Sequence, residues 1–148
     1  KVNFDSVIVL DFGERLKSVL ASFMFSDISN KEVNFFTINQ WFDETLFNES
    51  ALQNLHFPAI DFDNLKKFEK KYLDKFEEEP NQVSILAYDA LGLIYYCWFN
   101  NNAQFEIDQL YNKNGFKGLH GEFIINDNLS NQKLKIYKIS EKKFLKVD

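Results

Sequence analysis

The stretch "SILAYDALGLIYYCWF", residues 84–99, is apolar on almost every side of a helix and carries one acid, Asp89. A surface helix has one apolar stripe and a polar back, whereas a helix that is apolar all round has to be enclosed by protein or by lipid. The run from Val83 to Phe99 falls short of the ~20 residues that span a bilayer and holds a carboxylate in its middle. The sequence therefore predicts a helix over about 82–100, sandwiched on more than one side in a layered protein. With 148 residues, 45% hydrophobic and 17% aromatic, the chain has the material for one compact domain with such a core.

The layers follow from the rest of the pattern. "DSVIVL" (5–10) is a short continuous apolar run rich in β-branched residues, as expected of a strand buried on both faces of a parallel sheet. Leu16, Val19, Leu20 and Phe23 then recur at helical spacing, and "VNFFTI" (33–38) reads as a second strand. Strand, helix and strand in that order form a βαβ unit, so the fold class is α/β with a parallel sheet flanked by helices. Residues 39–61 fit a short helix around 44–54 and a strand-like "LHFPAI", in which Pro58 marks an edge or a crossover. Leu65, Phe68, Tyr72 and Phe76 make the stripe of an amphipathic helix that ends before Pro80. "FEIDQLYN" reads as a short helix, "NGFKGLHG" as a glycine-punctuated loop, and "EFIIND", "NLSN", "QKLKIYKIS" and "KKFLKV" as an antiparallel meander at the carboxyl end.

Several chemistries are disfavoured at this level. Seventeen Lys and Arg against 22 Asp and Glu give a net charge of −5, which repels nucleic acid and anionic lipid. The single cysteine, Cys97, lies inside the apolar helix and supports neither a disulfide framework nor a cysteine-rich metal site. His56 and His120 have no paired-ligand spacing, and no nucleophile elbow is present. "DFGE" (11–14) lacks the glycine-rich loop, strand lysine and catalytic loop that a kinase needs beside it. No catalytic residue, metal or cofactor is assigned. The position of "DF" carries more than its letters do. In open parallel sheets ligands bind just beyond the carboxyl ends of the strands, where this pattern puts Asp11 and Phe12 after the first strand and Asn39, Gln40 and Trp41 after the second.

The segment "FEKKYLDKFEEEPNQVS", the helix "LAYDALGLIYY" and "GFKGLHGEFIINDN" together resemble the carboxyl-terminal half of type 1 periplasmic binding proteins of the leucine/isoleucine/valine-binding superfamily. The matching residues are Phe68, Tyr72, Phe76, Pro80, Tyr88, Asp89, Ala90, Phe116, Gly118, Gly121 and Phe123. Upstream, "FDSVIVLDFGERLKSVLASFMFSDI" and "TINQWFDETLFNESALQNLHFPAID" are similar to the penicillin-binding-protein activators, the LppC-like envelope lipoproteins. The chain departs from that group at Ile38, where a glycine-threonine pair is expected one step earlier, and at Asn128–Ser130, where Asp-Gly is common.

The resemblance implies a partial two-lobed architecture. Residues 1–57 would belong to one lobe (lobe 2), 58–122 to the other (lobe 1) and 123–148 to the returning strands, the amino-terminal strands of each lobe being supplied by the rest of the same polypeptide. Asp11, Phe12, Asn39 and Trp41 would face a crevice between lobes, with Pro58 and Asp61 near the hinge. Asp89 is expected to accept hydrogen bonds within the fold, since a buried carboxylate without donors is unfavourable. Two functions follow as expectations: a non-enzymatic regulator of a peptidoglycan synthase, or a solute-binding receptor that passes an amino acid or similar small molecule to an ABC permease. Either implies the periplasm or a lipoprotein anchored to the outer membrane.

Overall fold

The computed structural model describes residues 3–147. In chain order its elements are strand β1 (Ser6–Val9), helix α1 (Gly13–Phe25), β2 (Asn34–Thr37), β3 (His56–Ala59), α2 (Phe62–Phe76), α3 (Ser84–Asn100), β4 (Phe116–Gly118), β5 (Gly121–Asn126), β6 (Leu129–Gln132), β7 (Lys135–Ser140) and β8 (Lys143–Lys146). They fall into two compact units, Lys1–Ala59 with Lys135–Asp148, and Ile60–Leu134. The chain is α/β, with a parallel-containing sheet in the first unit and an antiparallel sheet in the second.

The first unit is built on a five-stranded sheet of order β1-β2-β3-β7-β8. β1 and β2 are parallel with Val7 opposite Phe35, β3 joins β2 in parallel, and β7 and β8 continue antiparallel. α1 is the crossover of the βαβ unit, and it buries Leu16 and Leu20 completely while Phe23 packs on Phe35 with ring centroids 5.5 Å apart. Phe57 and Tyr137 belong to the same core, and Phe42 meets both rings edge-on.

Two expectations for this unit are corrected. β1 is not buried on both faces: it is an edge strand whose burial alternates, and Ile8 is 69% exposed. The continuous apolar run marks a strand of high β propensity but does not say which of its faces is covered. The helix expected around 44–54 is two 3-10 turns, Glu44–Asn48 and Ser50–Leu52. Asn48 and Ser50, in the middle of that segment, are residue types that disfavour helix propagation because their side chains can bond to nearby backbone. Leu46 and Leu52 are nevertheless fully buried.

The second unit contains α2, α3 and the sheet β4-β5-β6. Asp61 caps α2 by accepting the Asn64 N–H at 3.0 Å, and Glu77 ends it in a left-handed conformation, with its N–H bonded to the Leu73 carbonyl at 2.9 Å. The aromatic stripe of α2 forms as expected, with Tyr72 4.6 Å from Phe76 and Phe68 5.8 Å from Tyr88 of α3 between ring centroids.

α3 departs from its sequence reading. It buries Ile85, Asp89 and Cys97, which share one face, but leaves Leu91 70% and Phe99 65% exposed. Apolarity on all sides states what the helix can bury, not what the described residues bring to it. The short helix expected in "FEIDQLYN" is a 3-10 turn over Ile107–Leu110. The loop "NGFKGLHG" contains β4 and a tight turn into β5, with Gly118 opposite Gly121.

The carboxyl-terminal meander also differs in register from the expectation. The β5–β6 turn is the pair Asp127–Asn128, both at positive φ, with Asn126 opposite Leu129, so "NLSN" is largely strand. Two left-handed residues suit a two-residue hairpin, because their backbone twist matches that of the strands, and Asp and Asn are the non-glycine residues that best tolerate it. Glu141–Lys142 makes the same kind of turn between β7 and β8.

Candidate binding site

The carboxyl ends of β1 and β2 are tied together by side chains that the strands themselves position. Thr37, the last residue of β2, donates its hydroxyl to the Asp11 carbonyl at 2.9 Å. The Gln40 amide nitrogen reaches the same carbonyl at 3.1 Å, the Ile38 carbonyl at 3.1 Å and the Thr37 hydroxyl at 3.3 Å. Thr37 and Gln40 are both buried. The residues beyond the two strands therefore share one hydrogen-bonded surface, as expected from a parallel pair joined by a helix.

Within that surface one side-chain oxygen of Asp11 and one of Asn39 bond to the adjoining backbone. Asp11 Oδ1 accepts the Phe12 N–H at 2.9 Å, and Asn39 Oδ1 accepts the Trp41 N–H at 2.8 Å. Trp41 and Phe42 follow at φ 51° and 56°, in the left-handed region that few aromatic residues adopt. Backbone held in this way has a cost of order 1–3 kcal/mol per residue, and the surrounding contacts maintain it. The turn directs the chain so that Phe42 enters the core while Trp41 stays half-buried. Phe12 is 66% exposed. Asp11, Phe12, Asn39 and Trp41 are thus brought together as two adjoining strand-end turns in one unit.

Pro58 lies in β3 opposite Ile136, in the same sheet and one strand beyond β2. Asp61 belongs to the second unit, where its carboxylate caps α2. Thr37 was not singled out in the sequence, although a hydroxyl at the end of a strand beside a buried amide is the local feature that could have marked it.

The second unit holds a cavity of about 660 Å³. Tyr88, Leu93 and Tyr96 of α3 line it on one side, and Phe116, Gly118 and Phe123 on the other. Asp89 lines it as well. Its carboxylate accepts the N–H groups of Leu119 and His120, each at 2.9 Å, and the His120 ring through Nδ1. The role expected for Asp89 is the one observed: its oxygens bond to the β4–β5 turn. The pairing with His120, far along the chain, carried no local sequence signal.

No family model and no curated protein matches the sequence, but solved structures do match its fold. The leucine-binding protein LivK of Thermotoga maritima aligns with 97% of this chain at 14% identity and a TM-score of 0.65, the chain covering 44% of that protein. A putative branched-chain amino acid ABC transporter protein of Rhodospirillum rubrum aligns with 98% at 11% identity and a TM-score of 0.66, with 61% of it covered. The C-domain of Haemophilus influenzae LpoA, a regulator of PBP1A, aligns with 99% at 14% identity and a TM-score of 0.66, with 45% of it covered. The chain thus spans 44–61% of the length of these three structures, which are named as binding, transport or regulatory proteins. At these identities the likeness is one of fold, and the chain has the type 1 periplasmic-binding-protein fold.

Proposed function

We propose that residues 1–148 form the carboxyl-terminal portion of a two-lobed envelope protein that binds and regulates a peptidoglycan synthase, without catalysing a reaction itself. The observation that carries this reading is the state of the strand-end surface. An amino-acid receptor needs polar groups turned toward the ligand's ammonium and carboxylate. At this surface Asp11 Oδ1, Asn39 Oδ1 and the Gln40 amide bond to neighbouring backbone, while the ring of Phe12 lies open. Exposed aromatic area such as the Phe12 ring suits an anchor for a protein partner. The likeness to the LpoA C-domain supports the same reading.

A solute receptor working with an ABC permease is the second reading, supported by the likeness to LivK and the Rhodospirillum rubrum protein. Both readings place the protein in the periplasm, free or lipid-anchored. The deciding experiment uses the full-length gene product. A regulator raises the glycan-polymerising or transpeptidase rate of a purified synthase from the same organism and gives no calorimetric signal with amino acids. Micromolar heat of binding to a branched-chain amino acid, with an unchanged synthase rate, overturns the first reading in favour of the second.

A further inference from the structure

The loop that leads into β4 contains the pair Asn114–Gly115. In such a pair the amide nitrogen of the glycine can reach the asparagine side-chain carbonyl, because no Cβ stands in its way. Packing demands the glycine. Gly115 sits at φ 68°, and a Cβ there would come within 2.7 Å of the Phe123 carbonyl oxygen and 2.8 Å of Ile124 Cγ1.

Asn112 builds a turn around the pair. Its carbonyl accepts the Gly115 N–H at 2.9 Å, and its Oδ1 accepts the Asn114 N–H at 2.9 Å. A second observation concerns charge. Asn114 is exposed and lines a surface recess of about 280 Å³ together with Lys117 and Lys133. Attack by the Gly115 nitrogen would put negative charge on the Asn114 side-chain oxygen, and cations near that oxygen stabilise it.

We propose that Asn114 is a self-modification site, at which the side-chain amide is lost as ammonia in the folded protein at a rate set by opening of the Asn112 turn. The Gly115 nitrogen gives up its proton and bonds to Asn114 Cγ. The bond from Cγ to Nδ2 then breaks, and ammonia leaves with that proton, so that a succinimide remains. Water adds to one of its two carbonyls and opens the ring to aspartate or isoaspartate. Either product places a new carboxylate near Lys117 and Lys133. Isoaspartate also lengthens the backbone by one methylene directly ahead of β4, which displaces Gly115 from its place against Phe123 and weakens the pairing of β4 with β5.

The test incubates the full-length gene product at pH 8 and follows the peptide carrying Asn114 by mass spectrometry, with enzymatic methylation to count isoaspartate. Conversion is expected about ten-fold more slowly than in a synthetic peptide of residues 110–118, because the turn has to open first. Asn112→Ala removes one of the two bonds and should quicken conversion about three-fold, with circular dichroism confirming the fold. Asn112→Asp keeps the acceptor and should hold the wild-type rate. Asn114→Gln should abolish the isoaspartate. An Asn114 amide that stays intact in the folded protein long after the peptide has converted overturns the proposal. Conversion at the peptide's own rate, or an unchanged rate in folded Asn112→Ala, also overturns it, since either removes the turn as the gate.

Discussion

Asp89 Oδ1 accepts the backbone N–H of Leu119 at 2.9 Å, joining the middle of α3 to a turn thirty positions further along the chain. Its other oxygen accepts the His120 N–H at 2.9 Å, so one carboxylate fixes the turn that starts β5. This is how a carboxylate is accommodated in an apolar helix: its lone pairs take the place of a strand partner for the two N–H groups of the turn.

Replacing Asp89 with Ala is expected to destabilise the folded protein by ~1–3 kcal/mol, since two backbone donors lose their acceptor in a buried site. Asn, which keeps one acceptor oxygen, should recover part of that loss. Chemical denaturation of the full-length protein and its two variants measures both, and an unchanged midpoint for Asp89→Ala would refute the structural role.

Gly118 is the companion to this bond, because a Cβ there would collide with the Asp89 carboxylate. Gly118→Ala should therefore destabilise by ~1–3 kcal/mol through overpacking. Because the collision is with Asp89 itself, the loss should shrink when Asp89 is already Ala. A double-mutant cycle tests this, and strictly additive losses would show that the two positions do not communicate.

Burial pushes the Cys97 thiol above its usual value of 9.0. The folded protein then holds its proton to higher pH than the unfolded chain does. This contribution to stability is fully present below about pH 9.0 and is lost as pH rises toward the higher folded value. Iodoacetamide at pH 8 should react with Cys97 only as fast as the protein opens, and denaturant should accelerate it sharply. Labelling at the rate of a free thiol would contradict the burial.

Asp61 is expected to act through its helix. Asp61→Ala removes the acceptor for the Asn64 N–H at the start of α2 and should lower stability by ~0.5–2 kcal/mol, with Ser or Asn restoring most of it. Thermal melts of the three variants decide the point. If Ala alone abolishes partner binding at full stability, Asp61 belongs to the binding surface rather than to the cap.

The legible parts of this fold were those written in local pattern. The βαβ unit was visible because Val7 to Val9 and Phe35 to Thr37 are β-branched or aromatic runs and Leu16 and Leu20 have helical spacing between them. The stripe of Phe68, Tyr72 and Phe76 was visible for the same reason. What could not be read depends on neighbours distant in sequence. The exposure of Ile8 depends on which face of the sheet α1 packs on, and it packs on the other one, against Phe35. The pairing of Asp89 with His120 is set by where a turn docks, and the shift of the β5–β6 turn to Asp127–Asn128 by pairing register. At the candidate site, the strand ends located Asp11 and Trp41. That their polar neighbours bond inward depends on the rotamer of the buried Gln40 and on two residues at positive φ, neither of which a hydropathy pattern records.

The strand-end surface gives the prediction that separates the two functions. Phe12→Ala and Trp41→Ala each remove aromatic area from adjoining turns, and Phe12 is 66% exposed, so its loss should leave folding nearly unchanged. If the surface anchors a synthase, each substitution should weaken the complex by ~1–3 kcal/mol, the range for truncating an aromatic hot spot, and stimulation should fall in proportion. Trp41 is held at φ 51° by the Asn39 bond, so Asn39→Ala should release that turn and reproduce the Trp41→Ala effect while leaving the ring in place. Surface plasmon resonance on the full-length variants gives the affinities, with circular dichroism confirming the fold. Wild-type affinity for the synthase in all three variants would remove the strand ends from the partner interface. If the same three variants lost affinity for an amino acid instead, the receptor reading would stand.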